Sequence, residues 1–398
     1  MSLFWSKLSF VIFVLYILSN MNFIFALFII LFTSFNVLAI DTKAEQAVVI
    51  DFNTGEILFK KNANIKVPPA SMTKIMTVYA VFDRINNTDL SIKDKCIISA
   101  KAYKMGGSRT FLEIDDRVSI DELLKGIIVQ SGNDASIAIA ECLAGTEADF
   151  AKLMNVYAKK IGMSSTNFIN ASGWPDENHY STVFDLALLS NELIKKFPKL
   201  YEYFNIREFT YNDISQPNRN RLLTSVEGAD GLKTGYTKKS GWGVAGSASK
   251  DSRRITVVIN GTNSSRSRLN ESSNLINWAF SQTSEKKLIS KNQIIKNIDV
   301  WLGKQSTINL VSSRDVISII SFDQLQLIKT TISYKKPISA PIKKDDILGT
   351  MLIDIPGKKI IKIDLIAEVN VNEINPFYKI FAAIKYLIFG TSLDAIEE

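Results

Sequence analysis

Three short segments of the chain contain side chains that could carry out acyl transfer. In chain order they are Ser71-Met72-Thr73-Lys74, Ser131-Gly132-Asn133 and Lys233-Thr234-Gly235. A serine hydroxyl is a weak nucleophile until a neighbouring base takes its proton. Because Ser71 and Lys74 are three residues apart, their side chains share one face if the segment is helical. Taken singly, each segment is equally well explained by a helix cap, a loop or a turn, so the interpretation depends on all three occurring in this order.

Lys74 is the candidate for the base that activates Ser71. The N-terminus of a helix has a positive potential, and burial and the cation of Lys233 would act in the same direction. All three effects disfavour the ammonium form, so a lysine in this position can lose its proton near neutral pH and act as a general base. The chain contains a single histidine. This is His179, in the polar segment DENHYST, and we expect it to be a loop residue without a catalytic role.

The remaining polar residues of the three segments have complementary chemistry. The hydroxyl of Ser131 can relay a proton between Lys74, Lys233 and a leaving amine. Asn133 can hold a substrate amide. Thr234 and Lys233 offer a hydroxyl and a cation to a substrate carboxylate.

The elements that must position these residues follow from the hydrophobic pattern. Residues 47–61 predict a β-hairpin with its turn at Asn53-Thr54-Gly55. A helix is expected from Ser71, two helices are expected on either side of the segment QSGND, and another begins at Ser181 or Thr182. Two antiparallel strands should flank a turn at Lys250-Asp251, and a helix should follow over residues 272–280.

Both ends of the chain have membrane-related patterns. Residues 1–40 carry one charge, Lys7, followed by two apolar runs, and Val37-Leu38-Ala39 resembles a signal-peptidase site. We therefore expect export, with residues 1–39 forming a signal peptide or an uncleaved N-terminal membrane segment; translation starting at Met21 is a third possibility.

After about residue 282, short β-branched runs alternate with turns, which indicates a small β-rich domain. At the C-terminus, one arc of a helix is apolar, formed by Phe377, Ile380, Phe381, Ile384, Leu387 and Ile388. This pattern favours an amphipathic helix at a membrane surface, although it also fits a helix packed on the preceding domain. The predicted division is 1–39, a catalytic domain at 40–281, a β-rich domain at 282–372 and an anchor helix at 373–390.

Charge and cysteine content exclude other classes. The net charge of +7 is spread along the chain, which gives no reason to expect nucleic-acid binding. Cys96 and Cys142 lack the spacing of a metal site, so we expect no metal and no other cofactor. Two buried free thiols are the favoured expectation, while a disulfide remains open for an exported protein.

Together the three segments resemble the D-alanyl-D-alanine carboxypeptidase family of low-molecular-mass penicillin-binding proteins. The resemblance extends to the longer segments VQSGNDA at 129–135, QPNRNRLL at 216–223 and GADGLKTGYTKKSGWGVAGSA at 228–248. It covers roughly residues 42–390. It implies a mixed α/β (α+β) catalytic domain of the serine β-lactamase/transpeptidase type, which combines an antiparallel sheet covered by helices on both faces with a helical subdomain. A small all-β domain and an amphipathic helix would follow.

The same resemblance implies an activity. Such an enzyme is a serine-type carboxypeptidase that removes the terminal D-alanine from peptidoglycan stem pentapeptides through an acyl-enzyme on Ser71. It contributes to peptidoglycan maturation and cell shape, and it binds β-lactam antibiotics covalently. The backbone N–H groups of Ser71 and Tyr236 would form the oxyanion hole. Arg219 would join Lys233, Thr234 and Gly235 in binding the substrate. The implied location is the periplasmic side of the inner membrane, with peripheral anchoring.

Some features leave other functions open. Tyr236 stands where family members often have histidine, so the resemblance assigns a role to its backbone N–H but none to its side chain. A serine β-lactamase would need a glutamate that primes a water molecule, and the segment around Glu177 does not fit that pattern. An endopeptidase or transpeptidase acting on the same peptides, and a tethered scaffold without activity, are further alternatives; the complete set of polar residues argues against the scaffold.

Overall fold

A computed structural model describes residues 40–389 and 394–397. The expected export segment at residues 1–39 lies outside this range. Within the described part of the chain, no helix is both long and apolar enough to cross a bilayer.

The strands of the described residues form five sheets. They are β1 (Gln46–Asp51), β2 (Ile57–Lys61), β3 (Lys95–Ile97), β4 (Arg117–Ser119), β5 (Glu208–Tyr211), β6 (Ile214–Pro217), β7 (Ala229–Thr237), β8 (Gly241–Lys250), β9 (Arg253–Thr262), β10 (Thr283–Ile289), β11 (Ile294–Trp301), β12 (Thr307–Ser312), β13 (Val316–Ser321), β14 (Lys329–Lys335), β15 (Ile338–Ser339), β16 (Ile347–Asp354), β17 (Ile361–Ala367) and β18 (Asp394–Glu397).

The helices lie mostly in the first two thirds of the described chain. They are α1 (Lys74–Asn87), α2 (Ala100–Tyr103), α3 (Ile120–Lys125), α4 (Asn133–Ala144), α5 (Glu147–Ile161), α6 (Val183–Lys196), α7 (Leu222–Ser225), α8 (Ser265–Gln282), α9 (Phe322–Leu325) and α10 (Pro376–Phe389). Short 3-10 helices occupy Ala70–Thr73 and Leu200–Asn205, and a π-helical turn occupies Gly126–Gln130.

A five-stranded antiparallel sheet supports the three motif segments. Its order is β2-β1-β9-β8-β7. Residues 255–260 of β9 are all buried, so both faces of the sheet are covered. Helices α6 and α8 both pack on β9. The predicted hairpin, the turn near Lys250-Asp251 and the cap at Thr182 are confirmed, and the Thr182 hydroxyl accepts from the Asp185 backbone N–H.

The helical part of the molecule packs on the same core. Helices α1, α4, α5 and α6 contribute to one buried apolar cluster that also includes residues of the sheet. The predicted break at QSGND is confirmed, because the π-helical turn ends at Ser131 and α4 begins at Asn133. The predicted fold class is confirmed in this arrangement of sheet and helices.

One helix is longer than its sequence suggests. The apolar pattern predicts residues 272–280, whereas α8 spans Ser265–Gln282. Ser264 caps it by accepting a hydrogen bond from the Ser267 backbone N–H, and its first turns bury Arg268 rather than an apolar side chain. Because these first turns contain a serine cap and a buried arginine instead of regularly spaced apolar residues, the hydrophobic pattern does not predict them.

The β-rich region after α8 has its own apolar cluster. Seven strands are ordered β15-β11-β12-β17-β16-β14-β18, and β10 pairs with β13. The carboxylate of Glu56, next to β2, accepts from the Ser318 hydroxyl at 2.9 Å and pairs with the Lys358 ammonium. The partly exposed carboxylate of Glu56 therefore links this region to the five-stranded sheet.

The expectation of two free thiols is wrong in the structure. Cys96 and Cys142 form a disulfide with their Cα atoms 5.5 Å apart, joining β3 to α4 across 46 residues. Cys96 is buried, but Cys142 is exposed. The spacing carried no signal for pairing because the two residues meet only through the packing of the helical region.

Candidate active site

Ser71 lies in the tight turn that precedes α1. The 3-10 helix Ala70–Thr73 leads directly into Lys74, the first residue of α1. Ala70 has a φ of +49°, a conformation that L-residues rarely adopt. The loop opposite is equally constrained: a Cβ on Gly173 would lie 1.8 Å from the Ala70 carbonyl oxygen. Only glycine permits this approach, which brings the loop of residues 169–173 against the serine.

Lys74 is fully buried and has three oxygen acceptors. Its Nζ donates to Ser71 Oγ at 3.1 Å, to Asn133 Oδ1 at 2.7 Å and to the Ser172 carbonyl at 2.6 Å. Three fixed acceptors hold the amine in one orientation. The structure thus joins the first two motif segments through a single lysine.

The surroundings of Lys74 favour its neutral form. The pKa of Lys74 is lowered from 10.5 to about 7, chiefly by burial and also by the nearby cation of Arg219, while Asp134 opposes the shift. The motif pattern predicts Lys233 as the neighbouring cation in this role, whereas the structure has Arg219. A neutral amine 3.1 Å from a serine hydroxyl has the geometry of a general base.

The second segment forms a buried corner beside Lys74. Ser131 is 2% exposed and has a φ of +62°. Asn133 is anchored at both ends of its amide, since Oδ1 accepts from Lys74 and Nδ2 donates to the Gly106 carbonyl at 2.9 Å. One amide hydrogen and one oxygen lone pair remain for other partners.

The third segment lies in β7, the edge strand of the sheet. Gly235 packs against the turn before Ser71, where a Cβ would lie 2.9 Å from the Pro69 carbonyl oxygen. Lys233 and Thr234 are buried. Burial lowers the pKa of Lys233 well below its usual value, and the nearby cations of Lys74, Arg219 and Arg268 add to the effect.

Two grooves open on either side of Ser71. The first, which we call the arginine groove, has a volume of about 630 Å³ and includes Ser71, Ser131, Thr234, Gly235 and four arginines, Arg207, Arg219, Arg221 and Arg268. The second, which we call the loop groove, has about 690 Å³ and is lined by Ser71, Asn133, residues 172–177 and residues 236–239. Ser71 and Tyr236 line both grooves.

Arg268 is the main site residue that sequence reasoning missed. It is 8% exposed, its guanidinium lies 5.3 Å from the ring centre of Trp242, and no ion pair involves it among the described residues. Burial and Arg219 lower its pKa to about 10. Arg219 itself is exposed and donates to the Ser108 hydroxyl. A buried cation without a countercharge marks a place for an anion; no local motif around residue 268 could have indicated it.

Tyr236 stacks on Trp242 with ring centres 4.2 Å apart and is 48% exposed. Its aromatic side chain therefore forms part of the wall between the grooves. Its backbone follows Gly235 beside the turn of Ser71, where the oxyanion hole was predicted.

His179 has one feature that the sequence did not indicate. The residue does lie in a loop, but it is 3% exposed. Its Nε2 is 2.9 Å from the Thr73 hydroxyl, next to Lys74 in sequence. The polar sequence around it concealed this burial, because its neighbours Asp176, Glu177 and Asn178 face solvent. Glu177, the residue weighed for a β-lactamase, is an exposed member of the loop groove.

Comparison with known proteins identifies the family of the chain. The family described as D-alanyl-D-alanine carboxypeptidase matches residues 33–263, and the family described as penicillin-binding protein 5, C-terminal domain, matches residues 284–373. The chain therefore belongs to the D-alanyl-D-alanine carboxypeptidase family.

Individual relatives cover most of the chain. The D-alanyl-D-alanine carboxypeptidase DacF of Bacillus subtilis is 38% identical, with 79% of this chain and 82% of that protein covered. The crystal structure of the D-alanyl-D-alanine carboxypeptidase DacD from Francisella tularensis is 30% identical, with a TM-score of 0.74, and covers 86% of this chain and 99% of its own. Penicillin-binding protein D2 from Listeria monocytogenes, in an ampicillin-bound form, is 31% identical, with a TM-score of 0.56, and covers 61% and 99%.

Proposed function

We propose that this protein is a serine-type D-Ala-D-Ala carboxypeptidase that removes the terminal D-alanine from peptidoglycan stem peptides. The observation that carries the proposal is the buried Lys74 amine, 3.1 Å from Ser71 Oγ, with a pKa lowered to about 7. Lys74 accepts the Ser71 proton, and Ser71 Oγ attacks the carbonyl carbon of the penultimate D-alanine. The backbone N–H groups of Ser71 and Tyr236 stabilise the negative oxygen that develops.

The leaving D-alanine occupies the arginine groove. Its carboxylate is received by Thr234, Lys233, Arg219 and Arg268, and the last two supply fixed positive charge at the groove. Ser131 carries the proton from Lys74 to the departing amine as the C–N bond breaks. Water then attacks the ester carbonyl, Lys74 takes a proton from that water, and Ser71 Oγ is released with a proton.

The rest of the stem peptide lies in the loop groove on the other side of Ser71. Asn133 lies at its inner wall and retains one amide hydrogen for a substrate carbonyl. A β-lactam presents a similar acyl group and carboxylate, so it acylates Ser71 and is released slowly.

The decisive experiment treats the protein with labelled penicillin and measures D-alanine release from a pentapeptide. We expect one penicillin adduct per chain, located on Ser71 by mass spectrometry. In the peptide assay we expect one D-alanine released for each pentapeptide cleaved. Ser71→Ala should abolish both. An adduct on another residue would overturn the assignment, while rapid turnover of penicillin would favour a β-lactamase. Cleavage of crosslinked dimers without D-alanine release would favour an endopeptidase.

We further propose that the protein is exported, with its catalytic and β-rich domains divided near residue 282, and that α10 holds it on the membrane surface. Phe377, Tyr378, Ile380, Phe381 and Ile384 are all at least half exposed, which is unusual for so many large apolar side chains on one helix. Ending the chain at Asn375, after removal of residues 1–39, should release the protein from anionic vesicles. Continued sedimentation with vesicles would contradict the anchor.

A further inference from the structure

His179 is enclosed by elements that carry the catalytic residues. Its ring meets Phe168 edge-to-face at 5.7 Å, and its two nitrogens contact the loop of residues 169–173 on one side and the turn of Ser71 on the other. It lines neither groove. Any influence on the reaction must therefore pass through the residues that it holds.

The partners of His179 determine which nitrogen carries its proton. The backbone N–H of Ile169 donates to Nδ1 at 3.2 Å, and an amide N–H can only donate. In the neutral ring the proton is then on Nε2, which donates to the Thr73 hydroxyl oxygen at 2.9 Å. The pKa of His179 is lowered to about 4, chiefly by burial; Asp176 opposes this shift and the cation of Lys74 contributes to it. The ring is neutral wherever Lys74 can act as a base.

These two hydrogen bonds belong to a set that fastens the loop to the start of α1. The Thr77 hydroxyl donates to the Ala171 carbonyl at 2.6 Å, and Lys74 Nζ donates to the Ser172 carbonyl at 2.6 Å. His179 adds a bond to the first residue of the loop and a bond to the residue before Lys74. The Ser172 carbonyl is one of only three oxygens that orient the Lys74 amine in the described structure.

We propose that His179 is a positioning residue for the catalytic lysine: by bridging Ile169 and Thr73 it holds the loop of residues 169–173 against the Ser71 turn and keeps the Lys74 amine aimed at Ser71 Oγ. The inference rests on the proposed function, because it assumes that Lys74 is the base. It assigns the only histidine of the chain a role through geometry rather than through proton transfer.

Two substitutions separate the two bonds. In His179→Asn the side-chain oxygen occupies the place of Nδ1 and can accept from Ile169, but nothing reaches Thr73. In His179→Gln the amide nitrogen reaches the place of Nε2 and can donate to Thr73. We expect His179→Asn to lower the acylation rate constant by on the order of 10- to 100-fold, because a base displaced by a fraction of an ångström is a poor one. His179→Gln keeps the Thr73 bond but loses the Ile169 bond, so it breaks the same bridge and should show a loss of similar size.

The measurement is the saturation kinetics of labelled penicillin on the full-length protein. The apparent dissociation constant should change less than twofold in either variant, because the ring touches neither groove. The number of labelled sites per chain gives the folded fraction, so a residue that only supports folding would lower this stoichiometry and leave the rate constant per site unchanged. That result, or a rate constant per site within twofold of wild type in either variant, would overturn the proposal.

Two further variants complete the test. Thr73→Val removes the other partner of the same bond, so Thr73→Val combined with His179→Asn should be no slower than the slower single variant. Asn178→Ala, one residue before His179 and exposed, is the matched control and should behave as wild type. Wild-type protein that is not labelled at Ser71 would refute the proposed function itself, whereas normal wild-type labelling with additive effects of the two substitutions would refute only the positioning role.

Discussion

Lys74 and Lys233 are both fully buried beside Ser71, yet their surroundings are opposite. Lys74 has three oxygen acceptors within 3.1 Å and a stabilising carboxylate nearby, Asp134. Among the described residues, Lys233 has one long contact to the Thr234 carbonyl, at 3.4 Å, and its charged neighbours are cations. Both environments lower the lysine pKa, but only that of Lys74 fixes the amine in a direction.

The difference suggests how one site can use two lysines for separate tasks. A lysine oriented by acceptors is ready to take a proton before substrate arrives. A lysine among other cations lacks a countercharge, which a substrate carboxylate would supply. We infer that binding of the carboxylate completes the surroundings of Lys233 while leaving those of Lys74 nearly unchanged.

The largest effect should follow from removing the oriented lysine. Lys74→Met should slow acylation of Ser71 by about a thousandfold, which is the loss typical of a general base. Stopped-flow labelling with penicillin measures it, with circular dichroism as the check on folding. A loss smaller than tenfold would mean that another group takes the serine proton.

The same variant tests burial of the amine through stability. The folded-state pKa of Lys74, about 7, lies below the unfolded value of 10.5, so the folded state disfavours the ammonium ion. The wild-type free energy of unfolding should therefore decrease as the pH falls from about 10 to 7, and the penalty is fully present below pH 7. Lys74→Met should gain more in melting temperature at pH 6 than at pH 10, relative to wild type. An equal gain at both values would contradict the lowered pKa.

The cationic surroundings of Lys233 are tested by Arg268. Arg268→Met should reduce kcat/KM for a peptide ending in a D-alanine carboxylate by about 10- to 100-fold, the worth of a charged hydrogen bond. The same peptide ending in a carboxamide should lose less than threefold. Arg266→Met, an exposed arginine two residues earlier on α8, is the matched control. Equal losses on both peptides would show that Arg268 does not bind the carboxylate.

The sequence predicts the oriented lysine better than the cationic groove. Ser71, Lys74, Ser131, Asn133 and Lys233 belong to short motifs whose spacing reflects local structure. Arg268 lies on a helix whose first turns carry no apolar period, and its place in the groove results from the packing of α8 on the sheet. The surroundings of His179 and the Cys96–Cys142 disulfide likewise depend on contacts between segments far apart in the chain.

A smaller effect should come from Arg219. Its cation lowers the pKa of Lys74, so Arg219→Met should raise that pKa. The midpoint of the plot of acylation rate constant against pH should then move to a higher pH by less than about one unit. Arg221 lines the same groove, so Arg221→Met is the control and should leave the midpoint unchanged. A downward shift in the Arg219 variant would contradict the electrostatic account.

The smallest effect on chemistry should come from the disulfide. Cys142→Ser should lower the free energy of unfolding by about 3 kcal/mol, since it opens a loop of 46 residues. The acylation rate per labelled site should remain within twofold of wild type, because both lysines keep their immediate neighbours. A tenfold loss would mean that the two environments depend on distant cross-linking.

The central claim is that a neutral Lys74 takes the proton of Ser71 near physiological pH. The most direct test is the acylation rate constant of wild-type protein at saturating penicillin between pH 5 and 10. We expect a rate constant that rises tenfold per pH unit at low pH and levels off with a midpoint near 7, as the Lys74 pKa requires. A midpoint near 10, the ordinary value for lysine, or a rate independent of pH, would contradict it.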